Sequence, residues 1–182
     1  MSNIHIPESP WFSYRDGALA CDQVALESIA SEFDTPAFVY SGAAIDDAYR
    51  SIDEALSFAP HLIAYAIKAN GNLAVLSRLA SQGCGADIVS IGEMQRALKA
   101  GFPPERIIYS GVGKRREEIV AAAQAGIRAL HVENLQELDV VESVALELGR
   151  SLAIGLRVNP DVDAQTHPYI ATGLRESKFG LS

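Results

Sequence analysis

The sequence predicts an α/β fold, namely the first five strands of a (β/α)8 barrel. Two observations carry this. Strand starts fall at Leu62, Ala86, Ile107, Ala129 and Leu152, at intervals of 24, 21, 22 and 23 residues. Each interval holds a short apolar run, a polar turn and an amphipathic stretch. Strands that alternate with helices of ~10–15 residues make a parallel sheet with right-handed crossovers. Near-equal spacing without reversal signals favours a barrel over a doubly wound sheet. Leucine-rich repeats share the period, but the helices here are too long and the LxxLxLxxN signature is missing.

The expected strands are 62–69, 86–90, 107–111, 129–133 and 152–158. The first is the apolar run Leu62-Ile63-Ala64-Tyr65-Ala66-Ile67, closed by Lys68 and the turn formers Asn70-Gly71-Asn72. Such a run suits a strand buried on both faces. Leu73, Leu76 and Leu79 mark the helix after it. Met94, Ala97 and Leu98 mark the second helix, and Ile119, Val120 and Ala123 the third. Leu135, Leu138, Val141, Ala145 and Leu148 mark the fourth. Ser90 with Glu93, and Asn134 with Glu137, have capping-box spacing. Gly83, Gly101, Gly126 and Gly149 follow the helices, where a left-handed cap favours glycine. A complete barrel takes about 250 residues. Five units in 182 residues therefore lead us to expect the N-terminal piece of a longer protein.

The first sixty residues follow another pattern. Trp11 to Leu19 reads as strand, turn, strand, with Asp16-Gly17 at the turn, and Val24 to Phe33 is helix-like. Thr35-Pro36 ends that helix, and Ala37-Phe38-Val39-Tyr40 reads as a further strand. Ile45, Tyr49, Ile52 and Leu56 fall on one helical face. This segment is expected to lead in from another domain.

Composition narrows the function classes. The chain is 48% hydrophobic with a formal charge of -8, which suits a globular domain and argues against a nucleic-acid partner. Its densest basic group, Lys114-Arg115-Arg116, runs straight into Glu117-Glu118 and reads as a solvated helix start. Cys21 and Cys84 lack CxxC spacing and are expected to be reduced and structural, as in a cytosolic protein. His5, His61, His131 and His167 are scattered, and no pair has metal-ligand spacing, so no metal is expected. No apolar run approaches the ~18 residues of a membrane helix, so no membrane partner is expected. Residues 1–10 lack the apolar centre of a signal peptide.

The unusual polar residues come late in each unit: Lys68 and Asn70, Asp87 and Ser90, Ser110 and Lys114, Glu133 and Asn134, Arg157 and Asn159. Carboxyl ends of parallel strands converge on one mouth, so these groups are expected to face a shared pocket. A lysine ending a buried strand can be partly desolvated, which makes its amine a nucleophile toward a carbonyl cofactor. Arg157, between Leu156 and Val158, is expected to be nearly buried and to need an anionic partner. Ser90 and Asn134 are accounted for by helix capping. Asp87 is open between a site role and a strand-end partner for a basic neighbour. Gly111-Val112-Gly113-Lys114 is not a P-loop, because Arg115 stands where Ser or Thr is required. Gly83-Cys84-Gly85 precedes a strand and is not a dinucleotide fingerprint.

The ordered set Thr35-Pro36-Ala37-Phe38-Val39-Tyr40, Tyr65-Ala66-Ile67-Lys68-Ala69-Asn70 and Gly85-Ala86-Asp87-Ile88-Val89-Ser90-Ile91-Gly92-Glu93 resembles the fold-type III pyridoxal-phosphate decarboxylases. Ser110-Gly111-Val112-Gly113-Lys114 and Leu156-Arg157-Val158-Asn159-Pro160 extend the match. Asn159-Pro160-Asp161-Val162, His167-Pro168-Tyr169-Ile170-Ala171-Thr172-Gly173 and Ser177-Lys178-Phe179-Gly180 resemble the branch that decarboxylates meso-diaminopimelate to L-lysine. The likeness runs from about Trp11 to Ser182.

The resemblance implies that Lys68 condenses with the aldehyde of pyridoxal 5'-phosphate (PLP), with Asp87 and Arg157 beside the cofactor and Arg157 at its phenolic side. It implies a substrate loop carrying His167, Ile170 and Thr172. It assigns residues 1–41 to a separate β-domain and 42–182 to the first part of the PLP-binding barrel. The family's glycine-rich phosphate turn, acidic partner for the pyridine nitrogen, ring-stacking histidine and partner-subunit cysteine are all expected beyond Ser182. A homodimer, a small amino-acid substrate and a cytoplasmic location follow from the same likeness, as does little activity for these residues alone. The competing expectations are a sibling decarboxylase for ornithine, arginine or carboxynorspermidine, a non-catalytic PLP-binding barrel, and an inert paralogue. The substrate-loop segment argues for catalysis.

Overall fold

The structure is a computed structural model that describes residues 9–162 and 179–181. They fall into two compact units, 1–61 and 62–182.

The first unit opens with an antiparallel sheet. Strand β1 (Phe12–Arg15) pairs with β2 (Ala18–Cys21), and β2 pairs with β3 (Val24–Ala25). Asp16 and Gly17 both have left-handed backbones (φ 49° and 82°), which matches the twist of a two-residue hairpin. Helix α1 (Leu26–Phe33) follows, then α2 (Gly42–Ala55). Ser41 caps α2: its Oγ accepts from the Ala44 N–H at 2.9 Å and donates to Asp22 Oδ1 at 2.6 Å. The expected strand at Ala37–Tyr40 does not form. A strand needs a hydrogen-bonded neighbour, and among the described residues these four have none; Phe38 is 92% exposed.

The second unit is a five-stranded parallel sheet in sequential order: β4 (Ala64–Ala66), β5 (Gly85–Ile88), β6 (Ile107–Tyr109), β7 (Ala129–Val132) and β8 (Ile154–Leu156). The crossovers are α3 (Leu73–Ser81), α4 (Ile91–Ala100), α5 (Arg116–Ala125) and α6 (Leu135–Leu148). This is a partial α/β barrel. One parity of the three inner strands, β5, β6 and β7, packs against the helices, whereas Ile154 and Leu156 at the same parity of β8 are exposed. Ala86, Ile88, Ile107, Tyr109, Leu130 and Val132 are buried, together with Leu76, Leu79, Met94, Ala97, Ile119, Ala122, Val141 and Val144 from the helices. Burying each larger apolar side chain contributes about 1.5–3 kcal/mol. The other parity, including Asp87 and His131, is only partly covered.

The glycines after the helices act as anticipated. Gly83, Gly101, Gly126 and Gly149 all have positive φ. The capping boxes form with a shift of one residue. The N–H groups of Glu93 and Glu137 donate to the Ser90 and Asn134 side chains at 3.2 and 2.8 Å. The glutamates reach back past the caps to the N–H groups of Val89 and Glu133, both at 2.7 Å. That extra reach ties each helix to the end of the strand before it.

Cys21 and Cys84 are buried free thiols, and burial pushes both upward from their ordinary value, which suppresses the thiolate. Among the described residues no helix is long and apolar enough to cross a membrane.

Tyr109 carries a testable consequence of this packing. Its side chain is 1% exposed, and burial, reinforced by the Glu118 carboxylate, pushes its phenol from 10.0 up to about 12. A raised acid pKa stabilises the fold below the unfolded value and loses that contribution as pH rises, because the unfolded chain ionises first. Unfolding free energy should fall by ~2 kcal/mol between about pH 9 and pH 12 through this residue alone. Urea unfolding of the chain and of its Tyr109→Phe variant at both pH values isolates the difference.

Candidate active site

The carboxyl ends of the parallel strands surround a cavity of about 680 Å3. Lys68, Asp87, Ser110, His131, Glu133, Arg157 and Phe179 supply its chemistry. The volume suits a small-molecule site.

Lys68 sits on a single 3-10 turn, Ile67–Ala69, that follows β4. The sequence reading extends that strand through Lys68. In the structure the strand ends at Ala66, and the turn buries Ile67 while leaving Lys68 exposed at the cavity. Lys68 is thus more exposed than the last position of a buried strand would be. The described residues also offer Nζ no hydrogen bond or ion pair. Beyond the turn Asn70 accepts from the Asn72 N–H and Asn72 caps α3, so Asn70 stabilises the loop without lining the cavity.

Asp87, near the end of β5, accepts from the Ser110 hydroxyl, and Ser110 Oγ also meets His131 Nδ1 at 3.0 Å. Asp87 thus has a neutral partner, where the sequence reading weighed a basic one. His131 was not singled out in the sequence. Its signal is parity: it stands between the buried Leu130 and Val132 on β7, so it faces the opposite side, with Asp87. Opposite His131 on β8 lies Gly155, where a Cβ would come within 2.7 Å of His131 Cδ2. Only glycine leaves room for the ring there. Gly155→Ala should displace the imidazole and cost about 1–3 kcal/mol, read as a lowered thermal midpoint.

Arg157 is less buried than expected, with 37% of its side chain exposed. The buried member of its pair is Glu133, at 2%. Arg157 Nη1 donates to Glu133 Oε1 at 2.8 Å, and the guanidinium lies 4.6 Å from the centre of the Phe179 ring. Glu133 Oε2 accepts from the Gly180 N–H at 3.1 Å. Gly180 has φ 76°, and a Cβ on it would sit 2.9 Å from the Arg157 carbonyl, so glycine is needed for this approach.

Behind Glu133 lies a second buried pair. Glu137 Oε2 accepts the Glu133 N–H, while Lys114 Nζ donates to Glu137 Oε1 at 2.9 Å and to the Gly111 carbonyl at 2.6 Å. The two side chains are only 2% and 7% exposed. The reading of Lys114 as part of a solvated basic group is therefore corrected. Arg115 and Arg116 are solvated and pair with exposed glutamates, whereas Lys114 folds inward over the Tyr109 ring. Two carboxylates, Glu137 and Glu133, stand next to each other with a cation at either end, Lys114 on Glu137 and Arg157 on Glu133. Each carboxylate is satisfied by a cation and by backbone N–H or helix-start geometry, the condition under which buried charge is tolerated.

The structure brings Lys68, Asp87 and Arg157 to one cavity. The three substrate-loop positions, His167, Ile170 and Thr172, lie outside the described residues. The donor set fits a phosphorylated pyridoxal ring. Among the described residues Lys68 presents a primary amine with no hydrogen-bond partner, and the partly exposed Arg157 guanidinium donates to Glu133 through Nη1, so its other N–H groups suit an anionic oxygen.

Comparison with known proteins agrees with this chemistry. The family model described as pyridoxal-dependent decarboxylase, pyridoxal binding domain, matches residues 43–182. The chain belongs to this family of pyridoxal-dependent decarboxylases. It is 52% identical over 171 residues to the diaminopimelate decarboxylase of Pseudomonas aeruginosa, covering 94% of this chain and 41% of that one. It is 48% identical over 173 residues to that of Vibrio cholerae, covering 94% of this chain and 42% of the relative. The crystal structure of Helicobacter pylori diaminopimelate decarboxylase complexed with L-lysine superposes with a TM-score of 0.83 at 48% identity, over 85% of this chain and 39% of that one. The M. jannaschii enzyme, also with L-lysine, gives 0.86 at 38% identity, over 94% and 41%. The chain thus spans about two fifths of the length of the curated relatives it matches. A viral arginine decarboxylase at 20% identity shares the fold alone.

Proposed function

We propose that this chain supplies the lysine-bearing part of a PLP-dependent decarboxylase that converts meso-diaminopimelate to L-lysine. The observation that carries the proposal is the convergence of Lys68, Asp87 and Arg157 on one cavity at the carboxyl ends of β4, β5 and β8. Identity near 50% to diaminopimelate decarboxylases, against 20% to an arginine decarboxylase, supports this substrate over its siblings.

PLP, when bound, supplies an electron sink for the bond to the departing carboxylate. The chain's residues supply placement and proton handling. Lys68 presents an amine that must lose a proton to attack an aldehyde and regain one when the substrate amine displaces it. Its exposure on a one-turn 3-10 segment lets Nζ swing between these tasks. Ser110 holds the Asp87 carboxylate against the β6 strand end, fixing a negative charge on the wall of the cavity that contains the amine. Glu133 and the Phe179 ring hold Arg157 from two sides, which leaves its remaining N–H groups directed by packing. A guanidinium fixed in this way stabilises an anionic oxygen on the cofactor without reorganising during the reaction.

We assign residues 1–41 to a separate β-domain and 42–182 to the first part of the barrel, and we place His167, Ile170 and Thr172 in a substrate loop. A homodimer in the cytoplasm is the proposed working form. The test is release of CO2 from meso-diaminopimelate by the full-length protein, with ornithine and arginine as controls. Turnover of ornithine or arginine in preference would overturn the substrate assignment. These 182 residues alone should turn over little, since the family's phosphate turn and ring-stacking histidine are not among them.

A further inference from the structure

His131 has a ring nitrogen whose role the proposed chemistry does not use. A carboxylate only accepts hydrogen bonds, and a serine hydroxyl has one proton to give. Ser110 gives that proton to Asp87. Its contact with His131 Nδ1 at 3.0 Å must then run the other way, with Nδ1–H donating to Ser110 Oγ. In the neutral ring this leaves Nε2 as an acceptor. Among the described residues Nε2 has no partner. Gly155 makes room for the ring in this orientation, because a Cβ there would lie 2.7 Å from Cδ2 and 3.1 Å from Nε2, and both residues line the cavity. The Asp87 charge, relayed through Ser110, raises electron density at Nε2 and favours a cationic donor over a neutral one.

We propose that His131 is a ligand-contacting residue whose Nε2, oriented by the order Asp87–Ser110–His131 and given room by Gly155, accepts a hydrogen bond from the ammonium group of a small-molecule amine in the cavity. The inference rests on the reading of this cavity as an amine-handling site.

The experiment is long-range 1H–15N correlation on the full-length protein with 15N-labelled histidine, without PLP, using L-lysine as the probe. Nδ1 should show the protonated signature and Nε2 the unprotonated one. Addition of L-lysine should move Nε2 and leave Nδ1 in place. Ser110→Ala should redistribute the ring proton between the nitrogens. His131→Asn keeps a donor for Ser110 but removes the distal acceptor, and should weaken L-lysine binding about ten- to a hundred-fold. An unprotonated Nδ1, an Nε2 signal indifferent to L-lysine, or unchanged affinity in His131→Asn would each overturn the proposal. So would Lys68→Met moving Nε2 as L-lysine does, since the donor would then be the protein's own amine. Failure of Lys68 to react with PLP would sink the proposed function and leave the Nε2 result standing.

Discussion

Lys68→Met should abolish borohydride-stable attachment of PLP to the chain and leave folding stability within ~0.5 kcal/mol of the parent. Both halves of the expectation come from one placement. The side chain is exposed on a short turn at the cavity, and among the described residues nothing depends on its charge. Removing it withdraws the amine that the cofactor aldehyde needs without opening a void or stranding a partner. Methionine keeps the length and loses the nucleophile. Peptide mapping after reduction, alongside urea unfolding, reads the two quantities separately. An adduct that persists on another lysine would refute the assignment of Lys68. A large loss of stability would show that the residue is structural.

Lys114→Met should act in the opposite sense, lowering unfolding free energy by about 3–5 kcal/mol, because it strands the Glu137 carboxylate in the interior. The ammonium is 2% exposed and is shared between Glu137 and the Gly111 carbonyl. Pairing it with Glu137→Gln removes the stranded charge and keeps an acceptor for the Glu133 N–H, so the double variant should recover much of the loss. Equilibrium unfolding of the two single variants and the double variant measures the coupling. If Lys114→Met costs no more than a surface substitution, the buried ladder behind Arg157 does not hold this end of the barrel.

The contrast between these lysines marks the limit of reading the chain from its sequence. The parallel sheet was legible because each repeat announces itself locally, through an apolar run, turn formers, a capping residue and a closing glycine, and because strand spacing fixes the order β4 to β8. The convergence of Lys68, Asp87 and Arg157 was legible for the same reason: strand-end position in a parallel sheet implies a shared mouth. Burial was not legible. Lys68 looked desolvated and is exposed; Lys114 looked solvated and is buried. Whether a long cationic side chain turns in or out depends on a carboxylate from another element, here Glu137 on α6, some twenty residues away, and no local pattern specifies it. The Ala37–Tyr40 segment fails for a related reason, since β-propensity without a hydrogen-bonding neighbour does not make a strand. His131 could have been found from the alternation of β7, but the contact of its Nδ1 with Ser110 and the room its ring needs required the positions of Ser110 after β6 and Gly155 on β8. Sequence by itself determined the order of elements and the end of the sheet where the chemistry gathers, because both follow from periodicity along one chain. Tertiary structure alone decided which charges are buried, what each is paired with and which histidine nitrogen meets Ser110, because those depend on atoms brought together from distant repeats.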